Sequence, residues 1–254
     1  MFITGGRILT MEGQEYENGT IQIENGKIIA LREGAIGDMP AGKEKKVLDV
    51  QGAWIMPGLI EAHCHMGITE EKKGMEGDDC NENVEPSTPH LRAVDAINSM
   101  DAAFDDAVRA GITSAMIGPG SSNVVGGQFA FVKTRGRCID DLIVKAPAAM
   151  KVAFGENPKV NYAGMGKSPV TRMAIAAILR EALFQAGQYK KQKENGGDDF
   201  KEDFRMEPWL PVLNGEIPLK AHVHRVDDIF TAIRIAKEYG LSMTLDHCSE
   251  GHLV

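Results

Sequence analysis

From residue 55 to its last residue, this chain alternates short apolar runs with stretches of helical periodicity, a pattern that builds a parallel sheet or barrel flanked by helices. The runs predict strands over 55–63, 112–117, 128–133, 148–154, 219–224 and 241–247. Helical spacing predicts helices over about 95–110, 168–192 and 226–239. A (β/α)8 barrel takes roughly 250 residues, so the 200 residues of 55–254 hold about six of its strands and fall short by about two units. The sixth run is followed closely by Gly251-His252-Leu253-Val254, and the reading is of a TIM barrel truncated at its C-terminal side.

Residues 1–54 are written differently. Alternating runs around Ile3, Ile8, Ile21 and Ile28 are punctuated by Gly5-Gly6, Asn18-Gly19 and Asn25-Gly26. Asn-Gly between two alternating runs is the strongest short-range hairpin signal. A short further strand at 46–50 comes after the turn near Pro40 and Gly42. The expected organisation is a small β-sandwich contribution from 1–54 and a barrel domain over 55–254.

Histidines fall where the strands end. Of seven, five close apolar runs: His63 and His65, His222 and His224, and His247. Two imidazoles at i and i+2 on a strand point to the same side, so each His-x-His is a potential chelating pair, and imidazole suits zinc and iron. His90 and His252 fall in a polar loop and at a helix start and are read as surface residues. Cys64 and Cys248, one position from site histidines, alternate to the opposite face and read as packing residues. By the same alternation Asp246 faces away from His247. Lys151, inside the apolar run 148–154, is costly to bury unless its charge is neutralised or used.

Net charge and cysteine usage narrow the class further. With 28 Lys and Arg against 36 Asp and Glu, the chain carries a net charge of −8, which argues against nucleic acid or an anionic membrane as partner. The short basic stretches at 43–46 and 190–193 read as solvated. No run approaches a membrane span and no signal peptide is evident. The four cysteines show no C-x-x-C spacing, which fits a reducing, cytoplasmic compartment. The glycine-rich stretch 118–128 lacks the Gly-Lys-Ser/Thr end of a phosphate loop. It reads as a rim loop with Asn123 and Gln128 as substrate contacts, and the acidic segment 67–89 is expected to shape the pocket.

The leading hairpins, the stretch Pro57-Gly58-Leu59-Ile60-Glu61-Ala62-His63-Cys64-His65 and the later histidines in strand order together resemble the amidohydrolase superfamily. Within it, the likeness is to the branch of imidazolonepropionase and the metal-dependent prolidases. The resemblance implies a metal centre held by His63, His65, His222 and His247, with His247 also catalytic. It favours His222 over His224 as ligand and leaves His224 as a substrate contact. It implies a carboxylated lysine bridging two metals, for which Lys151 is the candidate and Glu156 the competitor, Glu156 otherwise serving as a substrate contact. Relatives also use an aspartate at the end of an eighth strand, a position this chain does not reach.

The implied activity is metal-dependent hydrolysis of a carbon–nitrogen bond, in an amide or cyclic amide, by a metal-activated hydroxide. The metal would be one or two divalent ions, zinc first and iron or manganese next. The substrate would be a small molecule, and the full-length protein a homo-oligomer. The alternatives are deamination of a nitrogen heterocycle and a non-catalytic scaffold on the same barrel. The 254-residue chain by itself is expected to be inactive.

Overall fold

The computed structural model describes residues 1–34, 46–197 and 200–254. The turn near Pro40 and most of the basic stretch 43–46 therefore lie outside the described residues. The chain divides into two compact units, Met1–Gly58 and Leu59–Val254.

In the first unit, β1 (Phe2–Leu9), β2 (Glu15–Glu24) and β3 (Lys27–Glu33) form an antiparallel meander. The β2–β3 hairpin closes on Asn25 and Gly26, both at positive φ (50° and 75°), as a type I′ turn requires. On its other side β1 takes two short parallel partners, β4 (Val47–Asp49) and β5 (Trp54–Ile55). The described residues of this unit thus make one five-stranded sheet. The strand predicted over 55–63 is in fact two. Trp54 and Ile55 pair with Arg7 and Ile8, and the Pro57-Gly58 step, with no proline N–H to donate, separates them from the strand that begins at Leu59. The unit boundary accordingly falls at Gly58 rather than at 54.

The second unit contains β6 (Leu59–Cys64), α1 (Ala102–Arg109), β7 (Ile112–Ile117), β8 (Val125–Lys133), α2 (Ile139–Leu142), β9 (Ile143–Ala153), α3 (Glu156–Gly164), α4 (Arg172–Asn195), α5 (Leu210–Leu213), β10 (Leu219–Val223), α6 (Val226–Tyr239) and β11 (Met243–His247). Its six strands are ordered β11-β10-β9-β8-β7-β6. The outermost two nevertheless approach each other, because His63 of β6 touches Asp246 and His247 of β11. The sheet is curled into a nearly closed barrel. It departs from strict alternation at β8, which runs antiparallel to both neighbours. A parallel crossover needs a dozen or more residues, and the link 118–124 is too short for one, so the chain turns back directly.

Register separates the two faces of the sheet. Met150, Leu219 and Met243 are paired across three strands, as are Val152, Ala221 and Leu245. These residues pack outward in one apolar core with Ile175, Leu179 and Leu183 of α4 and Ile229 and Ile235 of α6. The residues between them, Lys151, Lys220, His222 and Asp246, lie on the opposite, inner face. Burying the apolar set at about 25 cal/mol per Å² drives the curl, and it commits every second side chain to the interior.

Helix ends obey local chemistry. Asp101 caps α1 by accepting from the Ala103 N–H, Thr171 caps α4 by accepting from Ala174, and α6 stops at Gly240 in the left-handed conformation. Helix α1 therefore starts later than predicted. Helix α3 was not predicted, because its polar sequence has almost no apolar periodicity. Among the described residues no helix is long and apolar enough to cross a membrane.

Candidate active site

Strand ends deliver the five histidines to one place. His63 lies with its ring centroid 5.2 Å from His65, 5.4 Å from Phe129 and 5.1 Å from His247. His222 is 4.6 Å from His224 and 4.7 Å from His247, while His224 and His247 stack at 5.2 Å. In pure strand geometry His247 would go with its partner Val223 to the helix side. It turns inward because its backbone leaves the strand at φ 66°, a rare conformation for a residue with a Cβ.

Lysine 151 is fully buried, and its Nζ has no hydrogen-bond partner among the described residues. It rests 5.7 Å from the centre of the Phe129 ring, whose other contacts include His63 and Lys220. Burial, partly opposed by Asp246 and aided by the Lys220 charge, lowers its pKa to about 8. A primary amine that sheds its proton near neutrality can act as a nucleophile or ligand.

Neutral imidazole is the ligating form, and the environment favours it. Burial, aided by the Lys151 charge and the neighbouring histidines, lowers the His222 pKa to about 3. His65 and His247 are shifted down for the same leading reason. Hydrogen bonds sort the ring nitrogens. His65 Nδ1 is 2.7 Å from the Gly118 carbonyl and His224 Nδ1 is 2.7 Å from Ser249 Oγ. Both nitrogens of His222 are buried and unpartnered among the described residues, as is Nε2 of His63.

Asp246 corrects the sequence reading. It does not face away: its Oδ1 accepts from Lys220 Nζ at 2.7 Å and its Oδ2 lies 2.8 Å from His63 Nδ1. Alternation misled because His247, not Asp246, is the residue that breaks the strand's pattern. The His63 contact is close but not aligned as a hydrogen bond. Burial raises the Asp246 pKa, but His63 and Lys220 outweigh it and hold the carboxyl below its usual range. Lys220 was missed, although it carries the same signal as Lys151, a lysine inside an apolar strand.

The buried, unpartnered nitrogens, the neutral imidazoles and the amine of Lys151 make a donor set that fits a divalent ion. The donors are gathered rather than converged. Among the described residues no group of three or more His, Cys, Asp or Glu side chains forms a ready metal cage.

The remaining predicted contacts are engaged by other residues of the protein. Glu156 opens α3 with an exposed carboxylate 4.0 Å from Arg172. Asn123 is buried, accepting from Tyr162 Oη at 2.6 Å and donating to Thr88 at 3.0 Å. Gln128 donates to the Pro89 carbonyl at 3.1 Å. Their polar groups pin the rim loops. His252 is exposed, whereas His90 is half-buried and lines a cavity of about 450 Å³ with Ile68, Asp78, Cys80, Pro119 and Phe204. The cavity adjoins the histidine cluster. Pro119 comes directly after the carbonyl that His65 binds, and at Gly126, which also lines it, an added Cβ would lie 3.1 Å from Lys151 Cγ. Residues of the acidic segment 67–89, among them Asp78 and Cys80, line this cavity.

Similarity to known proteins points the same way. The chain is similar to a crystal structure of an amidohydrolase from Thermotoga maritima, with a TM-score of 0.90 and 36% identity over 99% of this chain and 65% of that one. It is 26% identical to amidohydrolase tasK of Hapsidospora irregularis over 93% of this chain, which is 26% of that protein. A 5-methylthioadenosine/S-adenosylhomocysteine deaminase of Symbiobacterium thermophilum matches 27% of this chain at 37% identity, covering 16% of its own length. The chain thus spans about a quarter or less of these two curated relatives. No family model matches it.

Proposed function

Because the chain belongs to the amidohydrolase superfamily, we propose that its second unit carries the metal centre of a hydrolase that cleaves a carbon–nitrogen bond in a small molecule. The observation that carries the reading is the meeting of strand-end imidazoles with a fully buried, unpartnered lysine amine. His63, His65, His222 and His247 would hold a divalent ion, zinc first by donor type, with Lys151 as the carboxylated bridge if two ions bind. His222 is favoured over His224 because neither of its nitrogens is engaged, while His224 has one tied to Ser249. When bound, such an ion lowers the pKa of water and polarises a carbonyl.

The residues supply the rest. Gly118 and Asp246 fix the rings of His65 and His63, Phe129 excludes water beneath the cluster, and the adjoining cavity takes the substrate. An amide or cyclic amide is the favoured substrate, in keeping with the imidazolonepropionase- and prolidase-like motifs. Deamination of a nitrogen heterocycle is the second reading, since several relatives are deaminases. A scaffold that has lost its chemistry has no reason to keep neutral imidazoles and a proton-shedding lysine together.

Elemental analysis of protein reconstituted with zinc tests the centre, with one or two ions per chain expected. A panel of cyclic amides and aminopurines, monitored for ammonia release, separates the two reactions. Protein that takes up no zinc would remove the enzymatic reading.

A further inference from the structure

The two histidines of the β6 pair are oriented by different means. His65 Nδ1 faces a backbone carbonyl, which only accepts, so that nitrogen carries the proton and the Nε2 lone pair is free. Opposite His63 Nδ1 stands Asp246 Oδ2 at 2.8 Å, close without being aligned as a hydrogen bond, and a carboxylate oxygen at that distance tolerates a proton on Nδ1 but repels a lone pair there. The two acceptors therefore favour the same tautomer in both rings, with the proton on Nδ1.

Asp246 does not stand alone. Its Oδ1 accepts from Lys220 Nζ at 2.7 Å, and both side chains are about 7% exposed or less. Lys220 reaches Asp246 diagonally across β10 and β11, since its own register partner is Thr244 and Asp246 is paired with His222. A buried ion pair is weak evidence for stability, because apolar residues of similar volume commonly replace one at no loss. Its presence in the barrel interior asks for another reason, and the acceptor it presents to His63 supplies one.

Resting on the reading that the cluster holds a divalent ion, we propose that Lys220 and Asp246 are positioning residues for the metal centre. Asp246 holds His63 in the Nδ1–H tautomer with Nε2 turned to the ion, and Lys220 fixes the rotamer of that carboxylate. Partners of this kind behind a ligating histidine are worth about 10–100-fold in metal affinity.

The test uses the purified protein and the double variant Lys220→Met/Asp246→Leu, which removes the pair without leaving either charge buried alone. Zinc affinity is read by competition with a chromophoric chelator. The tautomer of His63 is read from its ring ¹⁵N shifts in metal-free protein, with His65 as internal control. Expected are a loss of about 10–100-fold in affinity and a mixed tautomer at His63, with His65 unchanged. Wild-type affinity in the folded variant, or weakened binding with the His63 tautomer unaltered, would overturn the proposal. If the apolar pair folds poorly, Lys220→Gln/Asp246→Asn keeps an oxygen opposite Nδ1 and should hold the tautomer at a loss below about tenfold. A larger loss in that folded variant would assign the effect to charge and defeat the positioning role. Failure of the wild-type protein to bind zinc is a separate outcome, and it strikes the metal centre itself.

Discussion

At the scale of single residues, Lys151 carries opposite obligations in the empty and loaded protein. Its pKa of about 8, against an ordinary 10.5, means that the folded metal-free chain binds fewer protons than the unfolded chain between those values. Stability therefore rises with pH through that window, and below pH 8 the buried ammonium costs roughly 3 kcal/mol. Lys151→Met should accordingly stabilise the metal-free protein by about that amount at pH 7, with the gain gone near pH 10.5. The same substitution should empty one metal position. Denaturation of chelated protein at the two pH values, with metal content measured alongside, checks both signs. A variant that is no more stable at pH 7 would show that the lysine is already neutralised by another route.

At the scale of elements, glycine 118 links β7 to the site. A Cβ there would fall 2.3 Å from the Phe129 ring, and its carbonyl is the acceptor for His65. Gly118→Ala should therefore displace Phe129 or the loop, cost about 1–3 kcal/mol by overpacking and weaken zinc binding. Thermal melts and chelator competition measure the two effects, and wild-type values in both would refute the link. The position of β7, β10, β11 and α6 could be read from the sequence because their apolar patterns are strong, and that of α4 because its apolar residues recur over a long stretch opened by the Thr171 cap. The reversed sense of β8 could not, since periodicity carries no direction and only the short link 118–124 hints at it. The five histidines were legible for the same reason as the strands they terminate. Asp246 was not, because an alternation rule extended through His247 fails where that residue takes φ 66°. Asn123 and Gln128, expected as substrate contacts, have their amides engaged by Tyr162, Thr88 and Pro89, tertiary partners that local sequence does not announce.

At the scale of the whole second unit, the interior of the curled sheet is polar while its outer face is apolar, so the apolar packing against α4 and α6 stabilises the arrangement and the inner face is free to carry chemistry. That division explains why buried lysines, an aspartate and imidazoles are tolerated inside, and why the site depends on register. The backward strand adds a mechanical consequence. Because β8 starts where β7 and β9 end, the rim segment 118–124 is the closed end of a hairpin, anchored on both sides by sheet hydrogen bonds and again by Asn81 to Ser122 and Tyr162 to Asn123. Such a segment cannot swing as a gate. Any motion that admits substrate is left to the adjoining segment 67–96, above all to 67–79, because from Cys80 onward it is tied to the rim segment and to β8 through Cys80, Asn81, Thr88 and Leu91. Amide hydrogen exchange should then be slow across 118–125 and faster by at least about tenfold across much of 67–79. Equal protection of the two segments would mean that the entrance opens by some other movement, and that the turned strand confers no asymmetry on the mouth of the barrel.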